Sequence, residues 1–126
     1  MAMNDLIGLE YCWGAHPADG RNKTDCFQLL CEIRSRLGLS DYTEQFCWVY
    51  WLYSAETLKP SQMARWLLQS GKRLKIPKVG AAALLAEPNN AALGTVTDQG
   101  LICLAPGGQV VCVPVERVNA HYFWLN

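Results

Sequence analysis

The chain has 126 residues, 51% of them hydrophobic, and its eleven lysines and arginines are balanced by eleven acidic residues. A neutral balance gives no electrostatic ground for binding nucleic acid or an anionic membrane surface. The length suits one domain, 1–126, able to bury a core without covalent staples, and no apolar run approaches the roughly twenty residues that a spanning helix needs.

In chain order, Met1-Ala2-Met3-Asn4-Asp5 has neither a basic start nor a signal-type apolar core, so no secretory signal is expected. Leu9-Glu10-Tyr11-Cys12-Trp13-Gly14-Ala15-His16-Pro17 follows, then a turn-rich stretch from Gly20 to Thr24. After it Leu29, Leu30, Ile33 and Leu37 recur at helical spacing. Asp25 with Gln28 forms a capping-box arrangement, Thr24 is the alternative cap, and Gly38 is placed to end the helix. The spacing predicts a helix over 25–37, with Cys26 on its first turn. There the unpaired amides and the positive end of the macrodipole lower a thiol pKa, the usual mounting of a cysteine nucleophile. The competing reading of Cys26 is a small buried apolar residue.

Asp41-Tyr42-Thr43-Glu44-Gln45 starts a second helix that runs into Phe46-Cys47-Trp48-Val49-Tyr50-Trp51-Leu52-Tyr53. This run is aromatic on every side. Either it is a core helix, or Trp48 or Trp51 belongs to an interface with another chain. A third helix is expected over about 61–70, between Pro60 and Gly71. The basic connector 71–78 reads as a solvated loop, whose Leu74/Ile76 alternation allows a short edge strand.

From Val79 the pattern changes to strands: 79–85, 91–96, 100–104, 109–113 and a last one ending in Tyr122-Phe123-Trp124. Glu87-Pro88-Asn89-Asn90, Asp98-Gln99-Gly100 and Pro106-Gly107-Gly108 supply the turns. Helices first and an antiparallel meander second predict an α+β fold, N-terminal helices packed on a C-terminal sheet. The six cysteines are expected to be free, since they lack paired spacing and an export signal. The same lack of spacing argues against zinc, and no cofactor is expected.

Tyr11, Trp13, Gly14, Gly20, Asp25, Cys26 and Leu29 match, in order and spacing, a motif of the NlpC-type family of papain-like cysteine peptidases. That family shows Tyr-x-Trp-Gly-Gly, a short loop, then Asp-Cys-Ser-Gly-Leu-Val opening a helix, and cleaves bacterial cell-wall peptides. The resemblance covers about the first third of the chain. It implies a papain-like arrangement with Cys26 as nucleophile and Tyr11 as oxyanion donor. The chain departs from the pattern at Ala15, where the family has Gly, and at Phe27 and Gln28, where it has Ser and Gly. The family's His-Val-Gly-Ile strand, set on Leu93-Gly94, puts Ala92 in the place of the base. The polar residue that orients the base would fall near Ile102 or Cys103. His16 and His121 are the chain's two histidines, and neither matches the base position.

A thiol without a base is a weak catalyst near neutral pH. The expectation is therefore a degenerate NlpC-type domain serving as a structural component of a phage tail or baseplate. It would be assembled in the host cytoplasm and carried in the virion, with other tail proteins as partners and Trp48, Trp51 and Trp124 at the contacts. The alternative is an active peptidase or amidase of peptidoglycan, using Cys26 with His121 or His16 in a rearranged geometry. An unrelated α+β binding protein is the third reading.

Overall fold

The computed structural model describes residues 3–54, 57–58, 60–86 and 91–125. Its elements are β1 (Glu10–Tyr11), β2 (Lys23–Thr24), α1 (Cys26–Arg36), α2 (Thr43–Leu52), α3 (Pro60–Ser70), β3 (Gly71–Leu74), β4 (Ala82–Ala86), β5 (Ala91–Thr97), β6 (Gly100–Leu104), β7 (Val110–Val113) and β8 (Ala120–Leu125). The fold is α+β. A 3-10 turn at Asn4–Leu6 and the β1–β2 ladder, which is parallel, come before the helices.

The helix ends follow from sequence. Asp25 caps α1, its carboxylate accepting the Gln28 N–H. Gly38, at φ 74°, closes the helix in a Schellman turn. The Leu39 N–H donates to the Arg34 carbonyl at 2.9 Å and the Gly38 N–H to the Ser35 carbonyl at 3.1 Å. Tyr42 precedes α2 in the left-handed region, φ 62°, which is rare for a bulky residue. Its hydroxyl, buried, donates to the Leu125 carbonyl at 2.6 Å and accepts from the Leu125 N–H at 3.0 Å.

Six strands form an antiparallel sheet in the order β3-β8-β4-β5-β6-β7. The run β4 to β7 is a meander, and β8 returns to pair with β4. The 71–78 connector is only partly loop, because Gly71–Leu74 pairs with Leu125–Tyr122. Ile76, expected as part of an edge strand, is instead exposed beyond it. The expected turn 87–90 lies outside the described residues.

Strand alternation divides the core. Ala82, Leu84, Leu93, Phe123 and Leu125 face the helices and pack with Phe27, Leu30, Phe46, Val49 and Leu67. Leu29 and Ile33 of α1 meet Ile102, Val110, Met3 and Leu6 on the flank. Ala81, Ala83, Val96, Leu101 and Tyr122 form a second layer on the opposite face, covered by Val115 and Val118. The aromatic segment ending in Leu125 is thus an internal strand. Tyr122, Phe123 and Leu125 are buried, and Trp124 packs on the second layer and under Arg34 and Lys78. Trp124, expected at an intermolecular contact, makes its contacts within the fold.

Arg34 joins these parts. Its buried guanidinium lies 3.8 Å from the Tyr42 ring centroid and 4.7 Å from that of Trp124. It donates to the Ser40 and Gly80 carbonyls.

Candidate functional site around Cys26

The Tyr11–Pro17 segment is zipped onto the start of α1. The Cys12 N–H donates to the Thr24 carbonyl at 3.0 Å, and the Asp25 N–H to the Ala15 carbonyl at 3.2 Å. Gly14, at φ 80°, turns its N–H onto Asp25 Oδ2 at 2.8 Å. Asp25 is completely buried and also accepts the Tyr50 hydroxyl on Oδ2 at 2.6 Å and the Gln28 N–H on Oδ1 at 2.8 Å. Burial raises the Asp25 pKa, against the opposing pull of these donors. One carboxylate thus ties the motif loop, the α1 cap and α2 together.

Cys26 is the first residue of α1, as expected, and packs against the helix-side core near β5. The residue is half-buried there. Burial, and then the charge of Asp25, push its pKa up to about 12, against the Leu93, Cys26 and Phe27 amides. The helix-start lowering expected from sequence is outweighed, because amide dipoles do not replace the lost hydration of a thiolate beside a buried carboxylate.

The two histidines are engaged elsewhere. His16 Nδ1 accepts the Ala18 N–H at 3.0 Å, and its Nε2 is 3.9 Å from Glu32 Oε1. Glu32 is six residues along α1 from Cys26, a rise of about 9 Å. His121 Nδ1 lies 2.7 Å from an Arg73 guanidinium nitrogen. His121 pairs with Leu84, and Leu84 pairs with Leu93. That sets the His121 backbone two strand spacings, roughly 10 Å, from the Leu93 backbone. The β5 residue brought to Cys26 is Leu93, through its amide and its place in the helix-side core. Ala92, next to Leu93 in β5, pairs with Leu85 of β4, and its side chain lies outside the described residues. Ile102 and Cys103 are buried on opposite faces of the sheet, Ile102 in the flank cluster beside α1.

Tyr11 is exposed. The tyrosine that reaches the cap is Tyr50, which sequence reasoning placed only within an aromatic run. No local pattern marks it, because its partner is twenty-five residues away. Phe27, at a position where small residues would leave room beside the sulfur, turns into the core. It makes edge contacts with Trp13, Phe46 and Tyr50 at centroid distances of 6.3, 5.0 and 6.4 Å.

Trp48 is half-buried, its ring 5.5 Å from Trp66 and 5.8 Å from Tyr53, and its indole N–H is buried without a partner. Trp51 and Leu52, at the end of α2, are 81% and 70% exposed. Among the described residues, no group of three or more His, Cys, Asp or Glu side chains could hold a metal ion, and no helix is long and apolar enough to cross a membrane. All six cysteines are free. Comparison with protein-family models, curated proteins and solved structures gave no match.

Proposed function

We propose that this chain is a non-hydrolytic structural component built on an NlpC-like, papain-type arrangement, working within a phage tail or baseplate. The setting and the arrangement rest on the sequence resemblance of the Tyr11–Leu29 segment. The non-hydrolytic reading is supported by one observation: both histidines bond elsewhere, His16 to Ala18 and His121 to Arg73, and in the same direction burial and the Asp25 charge raise the Cys26 pKa. A cysteine peptidase needs an imidazole to hold the thiolate and to protonate the leaving amine. Here the N-cap carboxylate that would be spectator to such chemistry serves as a structural tie.

Trp51 supports the assembly role. An indole left 81% exposed on a helix beside an exposed leucine costs solubility unless a neighbour covers it. Trp48, expected as a second contact residue, contributes mainly to the aromatic packing between α2 and α3.

The test is digestion of cell-wall stem peptides by the purified protein and by Cys26→Ala, followed by mass spectrometry. Both are expected to leave the peptides intact. Release of fragments by the parent protein and not by Cys26→Ala establishes the peptidase reading in its place.

A further inference from the structure

β8 runs two residues past its last pair with β3. Leu74 pairs with Tyr122, and beyond it Ala120 and His121 pair with β4 alone. On the β3 side the chain turns away at Lys75 and leaves an open cleft of about 450 Å³ lined by Arg73, Leu74, Lys75, Ala120, His121 and Tyr122.

The polar lining of this cleft is cationic and oriented. An Arg73 guanidinium nitrogen lies 2.7 Å from His121 Nδ1. Arginine can only donate, so Nδ1 carries the lone pair and the imidazole proton sits on Nε2. The contact fixes the guanidinium without neutralising it. Elsewhere on the surface arginines are held by acids: Arg36 by Asp5 at 2.6 Å and Glu32 at 2.8 Å, and Arg21 by Asp19 at 2.7 Å. Among the described residues neither Arg73 nor Lys75 has a carboxylate partner. The charge of Glu116 also reaches this region, raising the Tyr122 hydroxyl pKa after burial has done so.

We infer that the notch between β3 and β8 is an oxyanion site, taking a carboxylate or phosphate group on Arg73, Lys75 and the Nε2–H of His121. A guanidinium oriented by a neutral acceptor presents its remaining N–H groups for forked recognition of a planar or tetrahedral oxyanion. Lys75 supplies a mobile second charge and His121 a third donor. The apolar wall of Leu74 and Ala120 leaves space for the body of the molecule that carries the anion. The site is separate from the Cys26 region and does not depend on the function proposed above.

Nuclear magnetic resonance of the full chain, with ¹⁵N-labelled histidine and arginine side chains, tests this. Sodium phosphate and sodium succinate are titrated separately against sodium chloride at matched ionic strength. At least one is expected to shift the His121 and Arg73 side-chain signals saturably. Arg73→Gln should weaken that binding by about tenfold or more, and Lys75→Gln by a smaller factor. Saturation by phosphate alone identifies a phosphate ester as the natural group, and by succinate alone a carboxylate. Saturation by both leaves the oxyanion assignment intact. Shifts no larger than with chloride, or equal shifts in Arg73→Gln and Lys75→Gln, overturn the inference. Both substitutions are at exposed positions, and the amide spectrum of each variant reports whether the sheet is kept.

Discussion

The Tyr50 hydroxyl lies 2.6 Å from Asp25 Oδ2, so the end of α2 is bonded to the cap of α1. Oδ2 also takes the Gly14 N–H, and Oδ1 the Gln28 N–H. Tyr50→Phe removes one donor and leaves the carboxylate with two. Its expected cost is about 1–2 kcal/mol. Asp25→Ala strands three donors around a buried site and removes a helix cap, at an expected cost of about 3–5 kcal/mol. Urea unfolding of the two variants checks the order. Equal costs would mean that Asp25 does not organise the three segments.

Cys26 should behave as a sluggish thiol. Iodoacetamide labelling at pH 7.5, read by mass spectrometry, is expected to modify the exposed Cys47 well before Cys26. The Asp25 charge is the second cause of the raised Cys26 pKa, after burial. Asp25→Asn, which keeps a capping side chain, should therefore speed Cys26 labelling while leaving it slower than Cys47. Fast labelling of Cys26 in the parent protein would contradict the raised thiol pKa.

The same shifts set an alkaline limit on stability. Cys26 and Cys31 ionise near 9 in the unfolded chain and only near 12 in the fold. Above about pH 9 the unfolded state binds fewer protons, so its free energy falls relative to the fold. The contribution of both thiols is intact below about 9 and is lost as the pH climbs toward 12. Burial also raises the Tyr50 hydroxyl, which acts in the same direction. Denaturant midpoints measured from pH 8 to 11 are expected to fall, and to fall less in Cys31→Ala when each is referred to its own value at pH 8.

Arg34 is a cation in the core, held by two carbonyls and two aromatic faces. Lysine keeps the charge and loses the planar stacking and the paired donors. Arg34→Lys should cost about 1–3 kcal/mol in thermal or urea unfolding. A neutral result would show that charge alone matters at this position.

Trp51→Ser should change stability by no more than about 0.5 kcal/mol, because the ring makes few contacts in the fold. In an assembly role it should reduce self-association or capture of a tail partner, read by sedimentation. Trp66→Ser, which strips the ring from Phe46 and Trp48, should instead lower stability.

Much of the architecture was legible because its signals are local. Apolar spacing and the Asp25 and Gly38 ends located α1 within a residue or two, and Gly100 to Leu104 was read as a strand with its observed bounds. β3 was read as loop with only a short edge strand allowed around Leu74 and Ile76, because Gly71-Lys72-Arg73-Leu74 are mostly solvent-facing and gain their strand character by pairing with β8. The site was legible as to which residue opens the helix and not as to its chemistry. Whether a helix-start thiol is acidic depends on what charge lies beside it, here the adjacent Asp25, and on how dry it is, which packing against α2 and β5 decides. Tyr50 and Leu93, the residues that enclose Cys26 from those elements, carry no mark in their own neighbourhoods.

The position of β8 orders the assembly of the sheet in time. The meander from β4 to β7 is joined by short connections and can form early, since its loops close cheaply. β3 precedes that meander in the chain, yet its pairing partner is β8. It must wait until some fifty residues further along have been laid beside β4. Until then Tyr42 has no Leu125 to bond and Arg34 no Trp124 to stack on. The β3–β8 pairing, the Tyr42 bond to Leu125 and the Arg34 stack on Trp124 all depend on this one strand, and a chain cut before Ala120 forfeits the three together.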